Sequence, residues 1–231
     1  MGGEGARLLR FCEDSLKKLR FGVAALAVCF CARTGQLALI VLSSAGREAG
    51  GVPPGWQIRT NHGRPNISAC KDEDTACVDL KSVNSSFALE RSVNIDPAEM
   101  PYLTWRWKVS RLPAGGDFRR AATDDQAAQV LVAFADRRVL TYIWDTTAPK
   151  GTMANASPIS LLRIFAVVCQ SGTAALNRWI AESRNVAADY ELAYGKPAPH
   201  VKVIRLQINS QHTGTSAESY FGEVAFRNMP R

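Results

Sequence analysis

The segment Trp105–Asp145 reads WRWKVSRLP, AGGDFRRAAT, DDQAAQVLVAF, ADRR and VLTYIWD. Its first part alternates. In YLTWRWKV an extended chain puts Leu103, Trp105, Trp107 and Val109 on one face. Tyr102, Thr104, Arg106 and Lys108 fall on the other, because a strand repeats every second residue. Two tryptophans beside Leu and Val belong in a core, so Trp105 and Trp107 are read as structural. Arg106 and Lys108 then point out of the core. Further on, VLVAF (130–134) is apolar on both faces, as in a central strand covered twice. The turn Asp136-Arg137-Arg138 joins it to VLTYIWD, which predicts a hairpin in which Tyr142 and Trp144 share a face.

Outward from this segment, strand signals recur between turn residues. Strands are predicted near 66–71, 76–82, 86–94, 102–109, 128–135, 139–145, 161–169, 201–209 and 220–227. Only Asn185 to Tyr194 reads as a helix, with Asn185 as its N-cap and Gly195 closing it. Many strands without βαβ alternation predict an all-β fold: an antiparallel jelly-roll-type β-sandwich with one short helix over residues 56–231. In VKVIRLQIN the apolar phase switches at Val203–Ile204, which predicts a β-bulge there, and bulges often adjoin sites.

The net charge is +7, of which residues 1–45 carry +3. The remainder is too mild for a nucleic-acid surface. Lys17, Lys18 and Arg20 precede an apolar run, and Ser43-Ser44-Ala45 offers small residues at a signal-peptidase spacing. Residues 1–45 are therefore read as a signal peptide or inner-membrane anchor helix, with the basic flank left in the cytoplasm. A buried amphipathic helix is the alternative, although the segment lacks a polar face. Residues 46–55 (GREAGGVPPG) are a Gly/Pro linker. Cys70 and Cys77 flank KDEDTA in a predicted hairpin and are a disulfide candidate in an oxidising compartment. Cys169, in IFAVVC, reads as a buried small hydrophobe.

The chain carries no phosphate-cradling glycine loop, no G-x-S-x-G and no H-E-x-x-H. His62, His200 and His212 are dispersed, so no metal site and no cofactor are expected. Four constellations remain. The loop 113–125 holds Asp117, Arg119, Arg120, Asp124 and Asp125. Loops of this length are often functional, and the plainer reading is a solvated linker whose charges pair with one another. Neighbouring carboxylates on a strand point opposite ways, so Asp124 and Asp125 alone do not make a hydrolytic pair. Around the helix, Arg184 and Asp189 are expected to pair and lock it to the sandwich. The polar loop 209–216 (NSQHTGTS) lacks the carboxylate that a structural calcium would need. The outward row Arg106 and Lys108, with Tyr142 beside it, suits an acidic glycan or carboxylate: the cations grip oxygens and the ring stacks on a sugar face. A solvated basic face is the plainer reading.

In order, WRWKV, LP, DDQAAQVLVAF, YIWD, W-x-x-E-x-RNV-x-x-DY, YG and YFGEVAFR resemble the bacterial domain-of-unknown-function 3047 family over residues 56–228. The resemblance implies an exported β-sandwich related in shape to carbohydrate-binding modules, and it implies no activity. The chain departs from the family pattern at Gln129, where Arg is usual, and at Asn209-Ser210-Gln211-His212, where an acidic run is common. The leading expectation is a non-catalytic envelope protein that binds a glycan through Arg106, Lys108, Asp124, Asp125 and Tyr142. Its rivals are a polysaccharide-acting enzyme of lyase or hydrolase type and an assembly partner with no small ligand.

Overall fold

The computed structural model describes residues 38–42, 52–156 and 163–231. The leader or anchor read in residues 1–45 therefore lies outside the described residues except for 38–42, and so does the linker except for 52–55. In chain order the strands are β1 (Ala38–Leu42), β2 (Gln57–His62), β3 (Ile67–Asp72), β4 (Thr75–Val83), β5 (Ser86–Ile95), β6 (Tyr102–Arg111), β7 (Ala128–Phe134) and β8 (Val139–Asp145). They continue as β9 (Met153–Asn155), β10 (Ile164–Ser171), β11 (Ile180–Asn185), helix α1 (Val186–Tyr194), β12 (Val201–Asn209) and β13 (Ser216–Arg227).

These form a two-sheet β-sandwich of jelly-roll type. The smaller sheet runs β11-β6-β13-β4-β3, with β1 also on β13, and the larger runs β2-β5-β12-β7-β8-β10-β9. The expectation of wholly antiparallel pairing is corrected at one place: β8 and β10 are parallel. Between them the chain forms the short strand β9 and returns along β10, and that detour brings it back in the same direction. Sequence patterning missed β1, β2, β9 and β11. Strand β2 is exposed along its length and has no alternation to read, and β9 is only three residues long.

The tryptophan face of β6 does what its alternation predicts. Leu103, Trp105, Trp107 and Val109 are all buried. Across the sandwich they meet the buried face of β8: Trp105 stacks on Tyr142 at 5.2 Å between centroids, and Trp107 on Trp144 at 6.0 Å. The β7–β8 hairpin forms across Asp136-Arg137-Arg138, and Arg137 takes the left-handed conformation the turn requires (φ 67°). The bulge falls between Val201 and Val203 against both neighbours, after which Ile204, Leu206 and Ile208 turn inward.

Helix α1 is fixed at both ends and from below. Asn185 Oδ1 accepts from Ala188 N at 3.0 Å, and Gly195 ends the helix in the left-handed conformation at φ 69°. From the core side, Asp189 Oδ2 accepts from the Tyr142 hydroxyl at 2.8 Å and from Arg184 Nε at 2.9 Å. At the hairpin tip, Asp136 accepts from Tyr190 and Arg138 and pairs with Lys196. Burial alone would raise the Asp136 carboxyl, but these hydrogen bonds outweigh it and hold the group well below the usual carboxylate range. On the opposite edge, Cys70 and Cys77 stand directly across β3 and β4 and are disulfide-bonded.

Two outcomes follow. Asp189→Ala leaves both Arg184 and the buried Tyr142 hydroxyl without their acceptor. It should lower unfolding free energy in urea by about 2–4 kcal/mol, against about 1 kcal/mol for Tyr142→Phe. A carboxyl with a depressed folded pKa stabilises above its unfolded pKa and loses that contribution as pH falls through the folded value. The stability gap between wild type and Asp136→Asn should therefore be full at neutral pH and should begin to narrow only below about pH 4, shrinking progressively with further acidification.

Candidate functional site

The outer face of the smaller sheet is built differently from the expected open basic row. Lys108 is 8% exposed, its Nζ sits 2.5 Å from Asp72 Oδ2, and it lies over the rings of Tyr220 (4.6 Å) and Trp179 (5.7 Å). Trp179 also donates to Asp72 at 2.7 Å. The end of the β3–β4 hairpin and the Trp179 loop thus cover this face, and Lys108 is already paired. Arg106 lies beside it, over Trp179 at 5.5 Å and 3.4 Å from the Thr75 hydroxyl. Tyr142 is not part of this row at all: β8 belongs to the other sheet, and the ring is fully buried between the two.

The acidic loop and the polar loop, far apart in sequence, come together at one end of the larger sheet. Asp125 is fully buried and accepts from Thr213 N (2.7 Å), Thr213 Oγ1 (2.8 Å) and His212 N (3.2 Å). It is a clamp between loops, out of a ligand's reach. Asp145 similarly accepts from Phe118 N, Thr147 N and Ala148 N, and Phe118 packs with Ile143, Ala148, Ala166 and Val168 in a small satellite core. Asp117 is held by Arg119 through two hydrogen bonds of 2.8 and 2.7 Å, which bring its carboxyl down to about 2. The loop passes so close that a Cβ on Gly116 would stand 2.4 Å from the Asp125 carbonyl oxygen. Much of the loop's charge is therefore structural.

What these loops border is a cleft of about 370 Å³ on the outer face of the larger sheet. Its floor consists of the side chains that alternation turns away from the core on β5, β12, β7, β8 and β10. In register across β12 and β7 these are Gln207 beside Gln129, Arg205 beside Leu131, and Val203 beside Ala133. Across β7 and β8, Leu131 stands beside Thr141 and Ala133 beside Val139. Asn61, Ser86 and Glu90 extend the polar side, and Ile164 and Ala166 the apolar side. Asp124, Gln126, Gln211 and His212 form the wall at the loop end.

Hydrogen bonds fix most of the polar side. Asn209 Oδ1 accepts from Gln129 Nε2 at 2.6 Å and from Gln126 N at 2.9 Å, while its Nδ2 donates to the Asp124 carbonyl at 2.6 Å. The two sequence departures from the family pattern thus meet in one amide pair. Gln207 lines the cleft with no hydrogen-bond partner among the described residues. Burial would raise the Glu90 carboxyl, but Arg205 and Arg59 outweigh it and keep the group ionised. Burial does raise Asp124, against an opposing hydrogen bond from Gln126.

Of the predicted ligand residues, only Asp124 reaches this cleft. The residues that sequence reasoning passed over are Gln129, Gln207, Asn209, Arg205 and Leu131. For Arg205, Gln207 and Asn209 the signal was present in the phase switch at Val203–Ile204, which sends them to the face opposite the core. Among the described residues, no three His, Cys, Asp or Glu side chains cluster so as to hold a metal ion.

No curated protein matches the chain. Among solved structures it is similar to the xyloglucanase domain of NopAA, a type three effector from Sinorhizobium fredii, in complex with cellobiose. That similarity has a TM-score of 0.48 at 7% identity and covers 77% of this chain and 94% of that one. It is also similar to endoglucanase cel12A from Rhodothermus marinus (TM-score 0.45, 10% identity, 83% and 99% covered). A third is the family 11 carbohydrate-binding module of the cellulase Lic26A-Cel5E of Clostridium thermocellum (TM-score 0.44, 6% identity, 82% and 94% covered). These likenesses are loose, and no residue correspondence is taken from them. The sequence itself is more specific: residues 55–225 match the family described as protein of unknown function (DUF3047), and the chain belongs to that family.

Proposed function

We propose that the protein is a non-catalytic, cell-envelope binder of glycans whose ligand lies in the cleft of the larger sheet. The observation that carries this is the patch of neighbouring outward amides, Gln129 and Gln207, with Asn209 holding Gln129 in place, beside the Glu90–Arg205 pair. An amide offers donors and an acceptor on one planar group, which suits the adjacent hydroxyls of a sugar ring. Strands hold these groups, so little order has to be imposed on binding. The oxidised Cys70–Cys77 pair and the basic-then-apolar N-terminus support an exported location.

The hydrolase reading has one observation in its favour, the raised carboxyl of Asp124 at the cleft wall. Its natural partner would be Glu90, the other cleft carboxylate. The Asp124 main-chain carbonyl accepts from Asn209, and the Asp124 carboxylate accepts from Gln126. Glu90 is also committed to two arginines.

The test is a binding screen of the purified protein against envelope glycans, followed by affinity measurement on variants. Gln207→Ala should weaken binding about 5–10-fold, the loss of one or two net hydrogen bonds. Arg106→Ala and Asp124→Asn should bind within about twofold of wild type, with no glycan cleavage by any of them. Loss of binding in Arg106→Ala with retention in Gln207→Ala would place the site on the other sheet and end this reading.

A further inference from the structure

We infer that the ligand is an acylated glycan, with its sugar over β12 and its acyl chain over β8 and β10. This rests on the glycan reading above and specifies the substrate class of the same cleft.

The cleft floor changes character in one direction. Following one register row across the sheet, the outward side chains are Glu90 on β5, Arg205 on β12, Leu131 on β7, Thr141 on β8 and Ala166 on β10. The next row reads Val203, Ala133, Val139 and Ile164. Strands lie about 4.8 Å apart, so the floor passes from charged to aliphatic within about 14 Å. That is the span of a sugar ring joined to a short alkyl segment.

The aliphatic half does not suit a second sugar. Sugars stack their C–H faces on flat rings; of the two rings lining the cleft, Phe118 is 1% exposed and committed to the satellite core, and the His212 imidazole belongs to the loop-end wall. Leu131, Ala133, Val139 and Ile164 offer an uneven apolar surface with no ring, which a flexible hydrocarbon chain covers well. The polar half narrows the other end of the ligand. Glu90 holds both Arg205 and Arg59 at the polar edge, and Gln129 and Gln207 beside them offer the neutral donors and acceptors that hydroxyls match. The head that fits these amides is rich in hydroxyls.

Thr141 stands within the aliphatic half, between Leu131 and Ala166 in the same row. It is 4% exposed, it lines the cleft, and its Oγ1 is buried with no hydrogen-bond partner among the described residues. A buried hydroxyl left unpaired costs free energy, and a ligand that supplies an acceptor recovers it. Two strand steps, about 10 Å, separate Thr141 from Arg205 in the same row. An ester or amide carbonyl joining sugar to acyl chain would fall there and accept from Thr141 Oγ1.

The experiment is calorimetric titration of the full chain with paired probes below their micelle concentrations. The probes are methyl glycosides of glucose, galactose and N-acetylglucosamine, their 6-O-octanoyl esters, and octanoate alone. For at least one sugar the ester should bind at least tenfold more tightly than its methyl glycoside. Ile164→Gln, on β10, should abolish that gain while leaving the methyl glycoside unchanged. Thr141→Val should weaken the ester several-fold. Ala133→Phe, which fills the aliphatic half without adding polarity, should reproduce the Ile164→Gln result if that variant folds poorly by circular dichroism. Equal binding of ester and methyl glycoside overturns this inference and leaves the glycan reading intact. Octanoate binding as tightly as every ester, with no sugar contribution, overturns both.

Discussion

Four aromatic rings, two from each sheet, hold this sandwich in register. Trp105 and Trp107 on β6 meet Tyr142 and Trp144 on β8. Removing one such ring from a core costs about 3–5 kcal/mol, a large part of a domain's net stability. The contact also sets orientation. Because a strand alternates, turning Tyr142 and Trp144 inward turns Thr141 and Ile143 outward. Pairing then imposes the same phase on β7, β12 and β10. The cleft floor is what remains on the other side of the core pattern, and no separate device is needed to build it.

Its walls do need devices, and buried carboxylates supply them. Asp125 ties the 113–125 loop to the 209–216 loop, Asp145 seats Phe118, and Asp189 holds the helix to the sheet. Each is surrounded by donors, as a buried charge must be. The chain therefore spends most of its conspicuous acidic residues on architecture. Asp124 is the exception, with one amide donor to its carboxylate among the described residues and a place on the cleft wall.

The division between what was legible in the sequence and what was not follows from this. Alternation in YLTWRWKV, the phase switch in VKVIRLQIN and the DRR turn each report a local backbone preference, and each was readable. The Asn185 cap and Gly195 stop were readable for the same reason. Sheet identity is not local. Strand alternation alone does not separate Tyr142 from Lys108, yet β6 and β8 belong to different sheets. Likewise nothing near Lys108 in sequence names Asp72, which reaches it across the fold. The cleft residues are amides and aliphatics, types that carry no motif. They become visible only when β5, β12, β7 and β8 are laid side by side.

The central claim is that ligand binding belongs to the outer face of the larger sheet and not to the covered basic face of the smaller one. Backbone and side-chain amide resonances, followed while a cell-envelope glycan fraction is titrated in, test it most directly. The shifts should concentrate on Gln129, Leu131, Thr141, Gln207 and Asn209, with the side-chain amides of Gln129 and Gln207 among the largest. Shifts centred instead on Arg106, Lys108, Trp179 and Tyr220, with the cleft unmoved, would contradict the account.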